Sequence, residues 1–318
     1  MSTKKPHLPH FILNPEAGGG KTGRSKAALL NLLERHFPGG FVLEVTSQPG
    51  HATEMTRTAL QHGADLIVAV GGDGTINETL NGFFNGKKLV RRKARLGFLA
   101  GGTAKDVVRN LRLPETMESQ IRNLGGGRHS IDVGRVTYRD TSGKKTERLF
   151  INDCQAGIAA SVVRMVTPGL KRLGGKVAFG IGGTLSALSY RGRQMTVELD
   201  NKETIEGRFL GVVVANGRFA GGGMDFAPRS SIDDGILDVI IIRDQPVLTR
   251  LFNFPKIYSG SHIELPWILY RKAKRVRLDS KQSVEIEADG ELLGRLPCDI
   301  SLIPRILPIA SNPLSAIS

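Results

Sequence analysis

The chain has 318 residues, 40% of them apolar, and 39 are glycine, a composition of soluble globular domains rich in tight turns. Its 44 lysines and arginines exceed its 30 aspartates and glutamates by 14, so it should attract anions such as nucleotides, polyphosphates or an anionic bilayer surface. Aromatics make up only 6%, which argues against a base-stacking platform and sets nucleic acid aside as a partner.

From the N-terminus, the first ten residues lack the apolar core of a signal peptide. Phe11–Asn14 reads as a short strand running into Gly18-Gly19-Gly20, and Ser25–His36 has helical spacing with Leu29, Leu32 and Leu33 on one face. Phe41–Thr46 and Ala52–His62 repeat the strand–helix order, as do Asp65–Val70 and Thr75–Phe84. Arg95–Leu99 is a further strand, followed by Gly101-Gly102-Thr103 and a short helix to Leu111; Pro114–Leu124 reads as a helix opening on proline. This alternation predicts a Rossmann-like α/β domain over residues 1–130, a parallel sheet with helices on both faces. Beyond it the pattern changes to Ile131–Tyr138, Arg148–Asn152, Gln194–Asp200, Thr204–Ala215, Ile236–Ile242, Arg275–Leu278 and Val284–Ala288, all strand-like, with helical spacing only at Lys176–Tyr190 and Val247–Tyr258. Repeated strands without intervening helices predict a C-terminal antiparallel β-sandwich over 131–304, with the tail 305–318 packing back on the first domain. No stretch of 18 apolar residues occurs. Cys154 and Cys298 match no metal-ligand spacing, so a reducing cytoplasm is the expected location, with transient visits to the membrane.

The most informative segment is Gly71-Gly72-Asp73-Gly74-Thr75, between the apolar run Leu66–Val70 and the helix start at Ile76-Asn77. Glycines admit positive φ and close backbone approach, and the first N–H groups of a helix have no internal partner, so such a turn suits a phosphate. Asp73 would repel a bare phosphate; a divalent cation between the two resolves this. Gly18-Gly19-Gly20-Lys21-Thr22-Gly23 satisfies G-x-G-x-x-G and comes close to a P-loop, but Pro15 stands where the P-loop's first glycine belongs. A phosphate-contacting loop of another kind, with Lys21 as a point charge, is the better reading. In the second half, Asp289-Gly290-Glu291 is either a hairpin tip or the place of a general base. Trp267, Tyr270, Arg271 and Lys272 form a candidate membrane-facing cluster or an ordinary strand edge.

Taken in order, Asn14-Pro15 with its glycines, Gly71–Glu78, Gly102-Thr103 with Asp106, Ile131–Gly134, Phe150–Asn152, Gly221–Met224 with Pro228, Asp234–Asp238 and Asp289–Glu291 resemble the diacylglycerol kinase catalytic-domain family, specifically its bacterial soluble lipid kinases. NAD kinases and phosphofructokinases share only the first glycine–aspartate motif. The resemblance implies a nucleotide domain, a β-sandwich and ATP with Mg2+ in the cleft between them. It assigns Asn14, Gly18, Gly19, Gly20, Lys21, Thr46, Gly71, Gly72, Asp73, Gly74, Thr75, Asn77 and Thr103 to the nucleotide. It assigns Asp234, with the carbonyls of Ser231 and Ile236, to magnesium, which a water network links to Asp73. Glu291 with Asp289 matches the base that activates the acceptor hydroxyl, and Lys171 a lysine near the reacting centre. Lys105 stands where the family usually has asparagine, Val107-Val108 replace Phe-Ala, and the extra glycine near Gly18 leaves the identity of the loop lysine open.

The expected chemistry is transfer of the γ-phosphoryl of ATP to a lipid hydroxyl, most simply that of diacylglycerol, at an anionic membrane surface. The alternatives are an NAD kinase-like enzyme and a non-catalytic nucleotide or lipid sensor. The sequence leaves the choice of lipid open, and also whether the chain forms a homodimer.

Overall fold

The computed structural model describes residues 8–101, 105–140, 142–166 and 175–311. Two compact units emerge. The first comprises Met1–Gly102, Arg112–Ile131 and Leu307–Ser318, and the second Thr103–Leu111 and Asp132–Ile306.

The first unit runs β1 (His10–Leu13), α1 (Lys21–Arg24), α2 (Lys26–His36), β2 (Val42–Val45), α3 (His51–Gln61), β3 (Leu66–Gly71), α4 (Asp73–Gly82), a small hairpin of β4 (Phe84–Asn85) and β5 (Lys88–Leu89), and β6 (Arg95–Ala100). After α5 (Asp106–Asn110), which belongs to the second unit, it resumes with α6 (Met117–Asn123). Strands β6, β3, β1 and β2 pair in parallel, in that order. Such strands are buried on both faces, and β3 accordingly reads as an unbroken apolar run. Phe11, Leu13, Val68, Val70 and Leu99 form one core with Leu29 and Leu33 of α2 and Ile121 and Leu124 of α6. Ile12, Ile67 and Ala69, at the alternating positions, are also fully buried, while α3 and α4 pack on each other and against β1 and β3. Helix α6 begins at Met117 rather than at the expected Pro114, because the Thr116 hydroxyl caps it by accepting the Ser119 N–H at 3.2 Å.

The second unit is an antiparallel β domain. Its strands are β7 (Arg128–Arg139, starting in the first unit), β8 (Lys145–Phe150), β9 (Asp153–Gly157), β10 (Arg193–Leu199), β11 (Glu203–Ala215), β12 (Leu237–Arg243), β13 (Ile268–Ala273), β14 (Arg275–Asp279), β15 (Glu285–Ala288) and β16 (Glu291–Ala310). One row runs β13-β12-β11-β10-β14-β16; β9 joins β11 to β15, and β7 and β8 extend from β16. The last residues of β16 pass into the first unit, where Ile309 pairs in parallel with Leu96 of β6. The core gathers Phe150, Phe209, Val212, Val214, Val239, Ile241, Ile286 and Ile300, and both cysteines lie within it as free thiols.

Helices α7 (Ile158–Met165), α8 (Gly175–Ser189), α9 (Val247–Asn253) and α10 (Lys256–Ser259) complete this unit. The reading of Val247–Tyr258 as one helix is corrected: it breaks at Pro255, which has no N–H to donate. Helix α7 and strands β9, β13 and β16 had no counterpart in the sequence reading. Strand β9 sits between two others, and every one of its residues is buried, so it shows none of the alternation that marks a half-exposed strand.

Candidate active site

In the first unit, Gly72 enters α4 in an extended conformation, and no side chain caps the helix. The first-turn N–H groups of a ten-residue helix therefore face out over Asp73 and exposed Gly74. A Cβ on Gly71 would lie 2.4 Å from the Thr75 hydroxyl oxygen, so glycine there is a packing requirement. Asn14, at the end of β1, links the neighbouring turn: its Nδ2 donates to Thr75 Oγ1 at 3.1 Å, and its Oδ1 accepts the Glu16 N–H at 3.0 Å. Gly18, Gly19 and Gly20 take positive φ in succession (65°, 66° and 81°), which curls the loop back to start α1 with Lys21 exposed. Thr46, at the end of β2, is buried, and its N–H donates to Leu13 O at 2.9 Å. Asn77 is buried on α4, and its Oδ1 accepts from Asn81.

These residues therefore cluster beyond the carboxyl ends of β1, β2 and β3, where an open parallel sheet places its ligands. The sequence reading missed Thr22. This residue is 3% exposed, its hydroxyl has no hydrogen-bond partner, and a Cβ on Gly101 would lie 2.6 Å from that oxygen. An orphaned hydroxyl beside a glycine loop and a glycine turn fits an anionic ligand that supplies the missing partner. Its sequence signal was the hydroxyl following Lys21. Thr103 and Lys171 lie outside the described residues.

In the second unit, Asp106 is almost fully buried, with one carboxylate oxygen accepting from Arg109 and the other from the Gly222 N–H, each at 2.6 Å. Burial pushes its carboxyl up, against the pull of those donors. It anchors the Gly221–Gly223 turn. Asp132 does the same for the next loop: it accepts the N–H of Gly235 at 2.7 Å and of Arg305 at 2.6 Å, and burial raises its carboxyl too. The loop so held carries Ser231, Asp234 and Ile236. Asp234 Oδ1 accepts the Ile236 N–H at 3.1 Å and the Ser231 hydroxyl donates to Asp233. The Lys272 ammonium stands 3.7 Å from Asp234 Oδ2. One carboxylate and two carbonyls are a lean donor set for magnesium, and a resident ammonium at the carboxylate opposes a second cation. These residues fit the ion poorly.

Asp289 and Glu291 separate into two roles. Asp289, at φ 48°, accepts the backbone N–H groups of Ile151, Asn152 and Asp153 at 2.9, 2.8 and 3.3 Å. Its carboxylate is committed to holding the start of β9. Glu291 meets Arg148 at 2.5 Å and is about one-third exposed, so it is held in place and accessible. Beneath them Glu287 is fully buried beside Asp153 and accepts the Gly290 N–H at 2.8 Å; burial and the neighbouring carboxylate lift its carboxyl well above the usual range. Asp153 in turn accepts from Gln155.

The same unit contains an apolar cavity of about 120 Å³, lined by Val162, Leu210, Phe226, Phe254, Leu265 and Trp267 among others. Trp267, from the cluster read as either membrane-facing or an ordinary strand edge, thus lines this cavity. Tyr270 of that cluster is half-buried under the Arg229 guanidinium, 5.3 Å from its ring centre. Helices bordering this cavity expose apolar side chains: Ile181, Leu185 and Leu188 along α8, and Leu248 and Phe252 on the adjoining α9, with Phe252 80% exposed.

A parallel-sheet unit with glycine turns at its strand ends, beside a β domain carrying a carboxylate turn and an apolar cavity, accords with a nucleotide-dependent phosphotransferase. Residues 9–136 match the model of the diacylglycerol kinase catalytic domain, and residues 152–311 match that of the YegS C-terminal NAD kinase beta sandwich-like domain. The diacylglycerol kinase of Bacillus subtilis is 28% identical over 291 residues, covering 90% of each chain. The "Probable lipid kinase YegS-like" protein of Chromohalobacter salexigens is 30% identical over 286 residues, covering 86% of this chain and 85% of that one. The crystal structure of a diacylglycerol kinase from Bacillus anthracis superposes with a TM-score of 0.71 at 23% identity, covering 99% of this chain and all of that one. The chain belongs to the diacylglycerol kinase/YegS family.

Proposed function

We propose that the protein is a lipid kinase that transfers the γ-phosphoryl group of ATP, carried as its Mg2+ complex, to the hydroxyl of diacylglycerol or a related lipid. Family membership supports the reaction type. The observation that favours a lipid acceptor is the apolar cavity in the second unit, near the exposed apolar helices α8 and α9.

In this reading Gly71, Gly72, Gly74 and Thr75 cradle the phosphates with Asn14, Thr22, Thr46 and Asn77, and Gly18–Gly20 brings Lys21 to them as a compact positive charge. Asp73 would hold the magnesium that accompanies the nucleotide, and that ion would supply positive charge against the phosphate oxygens. Thr103 and Lys171 keep the nucleotide and reaction-centre roles that the family motifs give them. Glu291, oriented by Arg148, takes the acceptor's proton as the oxygen–phosphorus bond forms and the bond to the ADP oxygen breaks. Asp289 positions the turn that carries it. The apolar faces of α8 and α9 lie in an anionic leaflet, to which the net charge of +14 draws the protein. Among the described residues no helix is long and apolar enough to cross a membrane.

The deciding experiment is ATP consumption by the purified protein with diacylglycerol in phosphatidylglycerol vesicles, with vesicles alone, and with NAD. Radiolabel should pass from ATP into lipid and should be lost in Asp73→Ala by a factor on the order of 10³, as for removal of a key electrostatic group. Labelling of NAD but no lipid would overturn the proposal.

A further inference from the structure

Asp238 of β12 is fully buried; neither carboxylate oxygen makes a well-formed hydrogen bond, and the Tyr270 hydroxyl and the Lys272 ammonium are polar groups that face it. A buried carboxylate in that position is costly unless a cation stands beside it. Lys272 supplies one. It is the direct cross-strand neighbour of Asp238 in the β12–β13 ladder, and its ammonium lies 3.4 Å from Asp238 Oδ1. The same ammonium lies 3.7 Å from Asp234 Oδ2, so it bridges the buried strand carboxylate and the loop carboxylate. Two further acids, Asp132 and Asp233, crowd this loop. Arg305, the other cation here, donates its Nε to the Asp233 carbonyl at 3.0 Å and not to a carboxylate.

We infer that the Lys272 ammonium is the resident cation of the Asp234 loop, holding Asp234 to Asp238 where a divalent ion would otherwise be required. The geometry explains the lean ligand set at Ser231, Asp234 and Ile236: a monovalent ammonium with three donors needs only two acceptors at hand and the rest from solvent, and Lys272 is 43% exposed. A magnesium ion, by contrast, demands close octahedral oxygen contacts and tolerates no ammonium among them. The loop is then ordered whether or not free Mg2+ is present, and the ion needed for transfer is the one that arrives with the nucleotide.

The test uses the full chain without nucleotide. Thermal unfolding of the wild type should give the same midpoint in EDTA and in millimolar Mg2+. Lys272→Met should lose several degrees in EDTA and recover most of them in Mg2+, because two unpaired carboxylates now admit the ion. Lys272→Arg keeps a cation and should remain indifferent to Mg2+. Mn2+ titration monitored by electron paramagnetic resonance gives a second measurement should Lys272→Met fail to fold: the wild type should leave the free-ion signal intact. The inference is overturned by wild-type stabilisation in Mg2+ that Asp234→Asn abolishes, by a stoichiometric Mn2+ site in the wild type, or by a Lys272→Met variant as stable as wild type in EDTA.

Discussion

Replacing Asp289 and replacing Glu291 should give opposite phenotypes, although the two residues flank a single glycine. The Asp289 carboxylate accepts three backbone N–H groups from Ile151, Asn152 and Asp153. Asp289→Ala strands all three donors. At about 1–1.5 kcal/mol each for a half-buried site, the loss is roughly 3–4.5 kcal/mol. Alanine in the left-handed conformation that Asp289 adopts at φ 48° adds about 1 kcal/mol. Asp289→Asn keeps one acceptor oxygen and tolerates that backbone, so it should cost about half as much. Glu291→Gln removes only a partly exposed ion pair with Arg148, worth roughly 0–1 kcal/mol, yet it deletes the proposed general base and should lower turnover by about 10²–10⁴. Urea unfolding, followed by near-ultraviolet circular dichroism, and a steady-state kinase assay on the same preparations would separate the two. ATP affinity should stay within a few-fold in Glu291→Gln, because its motif lies in the second unit and the nucleotide turns in the first. An Asp289→Ala protein that unfolds at the wild-type midpoint would refute the assignment of its carboxylate to the backbone. Wild-type turnover in Glu291→Gln would remove that residue from the chemistry.

Gly71→Ala would press a methyl group to 2.4 Å from Thr75 Oγ1, pushing Thr75 off Asn14; KM for ATP should rise at least about tenfold, with about 1–3 kcal/mol lost in stability from overpacking, and unchanged KM would show that the turn does not hold nucleotide. Leu248→Ser with Phe252→Ser should weaken sedimentation with anionic vesicles by about 10²- to 10⁴-fold, given roughly 1.5–3 kcal/mol per buried large side chain, while nucleotide binding stays intact; equal sedimentation would place the bilayer contact elsewhere. The lifted Glu287 carboxyl has a pH signature: above a free glutamate's 4.5 the folded chain keeps a proton that the unfolded chain releases, so its contribution is complete below 4.5 and is lost as pH rises toward the folded value. Glu287→Gln should therefore flatten the fall of the melting midpoint on the alkaline side of 4.5, and parallel wild-type and variant profiles would show that Glu287 ionises normally.

The glycine turns were legible because the requirement they meet is local: Gly71 has room for no Cβ, and Gly18–Gly20 adopt backbone angles that other residues resist. The order of strands and helices in the first 130 residues was legible for a similar reason, since each helix carries its own apolar stripe. What stayed hidden depends on partners far along the chain. Nothing near Asp289 reveals that its carboxylate serves amides 136–138 residues earlier, or that Asp132 reaches Gly235 and Arg305. Asp106 entered only as part of a family motif, and its contacts with Gly222 and Arg109 show it as an anchor. Lys272 looked like a surface cation until the β12–β13 register set it opposite Asp238.

The threading of the chain also bears on how the protein is made. The first unit closes its parallel sheet with residues Leu307–Ala310, whereas the other parallel strands of that sheet are finished by Ala100. On a ribosome delivering roughly 5–20 residues per second, about 180 residues of the other unit emerge before that last piece arrives. Throughout this interval the Leu96 edge of β6 lacks its partner around Ile309, an open edge of the kind that recruits foreign strands. Nascent chains stalled before residue 307 should accordingly depend on chaperones to stay soluble, and emergence of residues 307–310 should end that dependence.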